Sequence, residues 1–168
     1  METLIADTPI PWNKQIMSSE SDNPYVYHGA YGLCRDPSNR LLLVRVSNGL
    51  DAGTWTLPGG GIEWGEHPGA ALLRELEEET GIVDIEKYRV AAVYSHVYKR
   101  SLARPYDSVQ QIGIVYEVML AAFDLRPEID GSTDRCEWFT ESEARQLPLG
   151  HLGEFAVDLA WSKTWESH

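Results

Sequence analysis

Basic residues are scarce in this chain of 168 residues. Lys and Arg total 14 against 26 Asp and Glu, so the formal net charge is −12. Proteins that bind nucleic acid contact its phosphates with clustered Lys and Arg, and we therefore expect no DNA or RNA partner. A small phosphorylated substrate stays compatible with this acidity, because a bound divalent metal reverses the local charge.

Cysteines and long apolar runs are scarce as well. The two cysteines, Cys34 and Cys136, lie in apolar, strand-like surroundings, which predicts two reduced, buried thiols and not a zinc site or a disulfide. No apolar run approaches the roughly 18 residues that a membrane span requires. The N-terminus also lacks a basic segment followed by an apolar stretch, so we expect a cytoplasmic protein without membrane contact.

The overall amino-acid composition is typical of a globular protein. Hydrophobic residues make up 43% and charged residues 24%, and the length suits one domain with a sizeable core. Residues 1–23 carry Pro9, Pro11 and a polar run at 18–23 with no clear period. We expect 1–23 to be a flexible N-terminal extension and 24–168 to form a single domain.

Predicted strands are interleaved with a few helices. Period and composition predict strands at 25–34, 41–46, 54–57, 88–98, 110–122 and 136–139. They predict helices at 68–80, 141–146 and 151–163. Turn residues at 36–39 suggest that the first two strands form a hairpin. Since the order lacks regular βαβ alternation, the fold class is predicted to be α+β with a mixed sheet.

The helix at 68–80 carries an unusual acidic face. Glu75, Glu78 and Glu79 fall on one side of it at spacings of three and four residues. Carboxylates this close repel each other, which costs a helix a few tenths of a kcal/mol per pair. A divalent cation removes that repulsion, and oxygen ligands select Mg²⁺ or Mn²⁺. The alternative is a solvated acidic face with no ligand.

The segment before this helix adds context to the acidic face. The run of glycines at 59–61 follows a strand end and allows close approach of backbone to a ligand, although a plain tight turn is the alternative. Glu66 either adds a fourth carboxylate or braces the loop. Arg74 lies beside the acidic face, where its guanidinium either fixes one carboxylate or forms an ordinary surface ion pair.

Residues 60–82, GGIEWGEHPGAALLRELEEETGI, resemble the Nudix box, G-x5-E-x7-R-E-U-x-E-E-x-G-U, where U is a bulky aliphatic residue. The specified positions are all matched, by Gly60, Glu66, Arg74, Glu75, Leu76, Glu78, Glu79, Gly81 and Ile82. The resemblance implies an α/β/α sandwich with a mixed β-sheet between helices. It also implies a hydrolase that cuts a diphosphate linkage in a nucleoside diphosphate derivative or nucleoside triphosphate.

The same resemblance assigns roles to residues of the box. Glu78 and Glu79 are implied as the main Mg²⁺ ligands, Glu75 as a ligand or base, and Gly60 as a carbonyl ligand. Arg74 is implied to orient a catalytic glutamate, and Glu66 to brace the loop. Mn²⁺ is a possible substitute metal.

The general base lies outside the box in some members of the family. Glu128, in the turn-rich segment 124–135, is our candidate for it, with Asp134 as a weaker alternative and an exposed loop glutamate as the ordinary interpretation. Tyr98 and Arg45 are candidate substrate contacts. Tyr98 lies near a position where some family members stack a tyrosine on a base, although a tyrosine in a strand is more often part of the core.

Two other functions are compatible with the same box. One is a Nudix domain that binds a nucleotide without turnover, which the intact glutamates disfavour. The other is a prenyl diphosphate isomerase, for which no residue gives a signal. A small nucleotide is the expected partner. A homodimer is possible, with Trp161 and Trp165 as candidates for covering its interface.

Overall fold

The computed structural model describes residues 24–49, 51–99 and 108–162. Its strands are β1 (Pro24–Cys34), β2 (Leu41–Val46), β3 (Trp55–Thr56), β4 (Gly59–Gly61), β5 (Ile85–Lys99), β6 (Ser108–Leu120) and β7 (Thr133–Phe139). Its helices are α1 (Pro68–Thr80), α2 (Glu141–Ala144) and α3 (His151–Ala160). None of the helices in these ranges has the length and apolarity needed to cross a membrane.

The larger sheet has the strand order β4-β1-β6-β5 and is mixed. β1 and β6 run parallel, in a register that begins with Pro24 opposite Ser108 and ends with Cys34 opposite Val118. The pairs β1–β4 and β5–β6 are antiparallel. The prediction of an α+β fold with a mixed sheet is confirmed.

The predicted hairpin between the first two strands is wrong. The turn itself forms, and the Asp36 carboxylate accepts hydrogen bonds from the backbone N–H groups of Ser38 and Arg40 at 3.0 and 2.8 Å. Both edges of β1 are already occupied, by β4 and β6, so β2 has no free edge to join. β2 instead lies at the centre of a second sheet with the order β3-β2-β7, and a single bridge between Arg35 and Leu41 remains of the hairpin.

Helices cover the two sides of β1. Ala30 and Cys34 belong to a buried cluster with Ala71, Leu72 and Leu76 of α1. The alternate residues Tyr31 and Leu33 belong to another cluster, which includes Leu152, Ala156 and Val157 of α3. Because neighbouring side chains of a strand point to opposite faces, the sheet is enclosed between α1 and α3, as the sandwich prediction requires.

Helix α1 has the bounds predicted from sequence because its end signals are local. His67 caps its first turn by accepting a hydrogen bond from the Gly69 N–H at 3.1 Å, and Pro68 occupies the first helical position. Gly81 ends it in the left-handed conformation, with φ of 72°. β2 also has its predicted bounds, whereas the remaining elements differ from prediction at one end or both, and α3 ends at Ala160.

Cys34 and Cys136 are buried and unpaired, as predicted. Burial raises the pKa of the Cys34 thiol to about 12. The predicted extension at 1–23 and the predicted interface residue Trp165 lie outside the described residues.

Candidate active site

The glycine run forms a short strand and not a free loop. Strand β4 pairs antiparallel with β1, with Gly60 opposite Ala30. Gly59 has φ of 137°, and a Cβ there would lie 2.2 Å from the Ala30 carbonyl oxygen, so no other residue fits. This pairing fixes the backbone of Gly59 and Gly60 directly beside the acidic face of α1.

Glu79 is the buried carboxylate of that face, with 3% of its surface exposed. It accepts hydrogen bonds from the Gly59 N–H at 2.8 Å and the Ser132 hydroxyl at 3.3 Å. Burial raises the pKa of Glu79 to about 8; the Gly59 bond opposes this rise, and the charges of Glu75 and Glu128 add to it. A carboxylate in these surroundings is stabilised by a nearby cation.

Glu75 lies one turn earlier, half-buried against the glycine strand. Its carboxyl group is so close to Gly60 that a Cβ on that glycine would be 2.6 Å from a carboxylate oxygen. Burial raises the pKa of Glu75, the guanidinium of Arg74 lowers it, and the charges of Glu78 and Glu128 raise it further. Glycine at position 60 therefore provides the room that this carboxylate needs.

Arg74 connects the loop to the helix through several hydrogen bonds. It donates to both oxygens of Glu66 at 3.0 Å each, to the Gly61 carbonyl at 3.0 Å and to Glu75 at 2.8 Å. Glu66 also accepts from the Glu63 N–H at 2.9 Å, which closes the loop before α1. This geometry is the one expected if Arg74 orients Glu75 and Glu66 braces the loop.

Glu78 is more exposed than Glu75 and Glu79, and its carboxylate lies 3.4 Å from the Arg74 guanidinium. Within the described ranges no three acidic, histidine or cysteine side chains are already gathered around a metal position. Arg74 instead holds Glu75 and lies near Glu78. The available donors nevertheless suit a hard cation, since the carboxylates of Glu75 and Glu79 and the adjoining glycine backbone supply oxygen ligands only.

Glu128 contributes charge to the same site from a distant part of the chain. Burial is the main cause of the raised pKa values of Glu75 and Glu79, and the charge of the Glu128 carboxylate raises both further. It accepts hydrogen bonds from the N–H and hydroxyl of Thr133 at 3.2 and 3.3 Å. It also packs on Gly131, where a Cβ would overlap the carboxyl group. The candidate base thus lies close enough for its charge to act on Glu75 and Glu79.

The other three candidates outside the box occupy different surroundings. Asp134, the weaker candidate base, forms an ion pair with Arg45 in which both carboxylate oxygens are engaged, at 2.8 and 2.6 Å. Arg45 is not among the residues that line the main cavity, so its role as a substrate contact stays a prediction. Tyr98 does line that cavity.

The cavity has a volume of about 330 Å³ and opens beside the acidic face. Gly59, Gly60 and Glu79 form part of its wall, and Tyr98 and His151 form another part. Its size falls within the range of small-molecule sites. Glu79 therefore connects the acidic face of α1 to the cavity, and together they form the candidate site.

Several residues of this site were not assigned a role by the sequence. Gln111 donates to the Tyr31 hydroxyl at 2.6 Å and accepts from the Tyr98 hydroxyl at 3.0 Å. Ser132 reaches Glu79 from the segment before β7. Gln111 and Ser132 are ordinary polar residues in a strand and a turn, and only the tertiary pairing of β6 with β1 and of β7 with β2 brings them into the site.

Comparisons with known proteins identify one family over most of the chain. The family model of the NUDIX domain matches residues 27–157. Nudix hydrolase 25 of Arabidopsis thaliana is 43% identical over 63 residues, covering 38% of this chain and 35% of that protein. RNA pyrophosphohydrolase of Zymomonas mobilis is 36% identical over 70 residues, covering 42% of this chain and 43% of that protein. The matched parts are thus less than half the length of these two relatives.

A solved structure extends the likeness over the whole domain. The MutT NUDIX hydrolase of Burkholderia pseudomallei superposes with a TM-score of 0.66 at 26% identity, covering 80% of this chain and 97% of that one. Its agreement with the sandwich described above confirms the fold. Together with the match over residues 27–157, it shows that the chain belongs to the Nudix family.

Proposed function

We propose that this protein hydrolyses a diphosphate linkage in a nucleoside diphosphate derivative or a nucleoside triphosphate, with Mg²⁺ as its metal. The observation that carries the proposal is the buried carboxylate of Glu79 in the wall of a cavity of about 330 Å³. Glu75 and Glu128 add negative charge around it. Repulsion between these carboxylates lowers the stability of the fold, so stability alone does not explain why they lie together. A metal-dependent phosphate site does explain it, because such a site needs several carboxylates to bind its cation.

The metal ligands in this proposal are the carboxylates of Glu75, Glu78 and Glu79 with the carbonyl of Gly60. When bound, Mg²⁺ neutralises phosphate oxygens and acidifies water. Arg74 orients Glu75 through its 2.8 Å hydrogen bond. Family membership supports this choice of metal, with Mn²⁺ as a substitute.

Water is the nucleophile in the proposed reaction. Its oxygen attacks phosphorus, the bridging P–O bond breaks, and a nucleoside phosphate leaves. A carboxylate accepts the proton that the water loses. Glu128 is our choice for this base because its charge acts on Glu75 and Glu79 although it comes from a separate loop. Glu75 is the alternative base.

A panel of nucleoside triphosphates and nucleoside diphosphate derivatives, incubated with Mg²⁺ and assayed for phosphate products, tests the proposal. Glu79→Gln should remove most turnover and weaken Mg²⁺ binding while the circular dichroism spectrum stays unchanged. Glu77→Gln is the matched control, because Glu77 is an exposed glutamate of the same helix and should keep wild-type rates.

Near-normal turnover in Glu79→Gln would contradict the assignment of this site. If calorimetry showed nucleotide binding but no member of the panel were cleaved, the protein would be a nucleotide-binding Nudix domain without turnover. The intact set of Glu75, Glu78 and Glu79 argues for the enzyme.

A further inference from the structure

The end of the cavity away from the glutamates of α1 is lined by aromatic rings. His96, Tyr98 and His151 form a compact group of rings there. The His96 and His151 rings stack with centroids 3.9 Å apart and planes inclined by 23°. Tyr98 meets both of them edge-on, at 4.7 and 5.7 Å. Of the three, Tyr98 and His151 line the cavity, which gives it an aromatic wall.

A hydrogen-bonded series of side chains separates this aromatic wall from the glutamates. Tyr98 donates to Gln111, which donates to Tyr31 at 2.6 Å. The Tyr31 hydroxyl lies beside that of Tyr27, and Tyr27 is close enough to Glu75 for that carboxylate to raise its pKa after the larger effect of burial. The aromatic wall is therefore several side chains away from the proposed phosphate site, and its rings and the Gln111 amide are held in place.

Asp51 brings a carboxylate to the aromatic end. It lines the cavity. Burial raises the pKa of Tyr98, a hydrogen bond with the Tyr94 hydroxyl opposes the rise, and the charge of Asp51 adds to it. The turn that carries it is fixed, because the Thr54 hydroxyl donates to the Asp51 carbonyl at 2.7 Å. Thr54 in turn packs on Gly150, immediately before His151. Among the residues that the structure describes, no donor is hydrogen-bonded to the Asp51 carboxylate.

An ionised carboxylate accepts hydrogen bonds and cannot donate them. Beside stacking rings it selects a flat ligand that presents N–H groups at its edge. Guanine offers two adjacent donors, the ring N1–H and the exocyclic amine, which match the two oxygens of one carboxylate. Adenine offers its amine alone next to an acceptor, and hypoxanthine lacks the amine. A ribose diol also has two donors, but it has no face to stack on Tyr98 and His151.

We propose that Asp51, Tyr98 and His151 form a nucleobase subsite that prefers guanine. The inference rests on the proposed function, since it places the base of the substrate opposite the diphosphate. Tyr98 and His151 provide stacking surface for any base, and Asp51 provides the discrimination between bases.

Steady-state hydrolysis of GTP, ITP and ATP with Mg²⁺ tests the subsite. The wild-type protein should show kcat/KM about tenfold higher for GTP than for ITP or ATP. In Asp51→Asn the value for GTP should fall to that of ITP, and the value for ATP should not fall. His151→Ala should lower kcat/KM for the three nucleotides by a similar factor, because stacking is nearly independent of the base.

Asp84→Asn, an equivalent change in an exposed loop outside the cavity lining, is the control and should keep the GTP preference. Calorimetric binding of GMP, IMP and AMP measures the same preference without turnover. Equal kcat/KM for the three triphosphates, or an unchanged preference in Asp51→Asn, would overturn the subsite while the hydrolase stands. A GMP preference lost in Asp51→Asn, in a protein that cleaves none of the panel, would leave the subsite standing and overturn the hydrolase.

Discussion

Arg74 is the residue on which the geometry of the acidic face depends. Its guanidinium donates to the two oxygens of Glu66, to Glu75 and to the Gly61 carbonyl at 2.8–3.0 Å. The Lys ammonium keeps the positive charge but lacks the planar arrangement of donors that reaches these groups together. We therefore expect Arg74→Lys to lower kcat/KM about 10- to 100-fold, measured by steady-state kinetics with saturating Mg²⁺.

Arg145→Lys provides the comparison for that change. Arg145 forms exposed ion pairs with Glu141 and Asp158 on the protein surface, so its replacement should leave the rates unchanged. Wild-type kinetics in Arg74→Lys would show that charge alone, and not the geometry of the donors, is what the site needs.

Spacing in the sequence predicted which glutamates share a face of α1, because a helix converts i and i+4 into neighbours. It gave no indication that Glu79 is bonded to the Gly59 N–H and Ser132, since those partners come from separate strands and loops. Gln111 and Asp51 carried no signal for the same reason. The functions of such residues depend on tertiary neighbours that no local pattern encodes.

At the scale of the element, helix α1 depends on its C-terminal glycine. Gly81 has φ of 72°, and a Cβ there would lie 2.9 Å from the Arg126 Cβ. Gly81→Ala should therefore lower the free energy of unfolding by about 1–2 kcal/mol because of the left-handed backbone. The close contact between the new methyl group and Arg126 should lower it further. Chemical denaturation measures this difference.

Gly53→Ala separates the two costs. Gly53 also has positive φ, of 86°, but no atom lies within 4 Å of a Cβ placed there. The free energy of unfolding of Gly53→Ala should therefore fall only by the backbone contribution, so this variant should be less destabilised than Gly81→Ala. Equal losses in the two variants would mean that Arg126 yields to the new methyl group without cost.

Elements whose signals are local were predicted well, and pairings between elements were not. The bounds of α1 follow from Pro68 and Gly81, which lie next to its ends. The hairpin prediction failed because β1 pairs with β6, a partner that the turn at 36–39 says nothing about. The glycine run at 59–61 became a strand for a similar reason, since β1 supplies the hydrogen bonds that its own sequence does not predict.

For the whole molecule, the metal should act as a stabiliser as well as a cofactor. A ligand that binds only the folded state stabilises it by mass action, and relief of the repulsion around Glu79 provides that binding energy. With Mg²⁺ at about a hundredfold excess over its Kd, the melting temperature should rise by about 5–10 °C. Thermal unfolding followed by circular dichroism measures this shift.

Glu79→Gln makes the test specific. Replacing the buried carboxylate by a neutral amide of the same shape should raise the melting temperature without metal and remove most of the further rise with Mg²⁺. NaCl at matched ionic strength serves as the control, because the net charge of −12 makes some general screening unavoidable. An equal rise with NaCl and MgCl₂ would contradict specific binding.

The parallel pairing of β1 with β6 also governs the order of events during synthesis. Pro24 cannot meet Ser108 until the ribosome has released the residues between them and those of β6 itself. Until then β1 has one edge without a partner, and the wall that carries Tyr31 and Gln111 does not exist. The nascent chain thus exposes the glutamates of α1 before it possesses a cavity, and the proposed site is complete only once β6 has been synthesised.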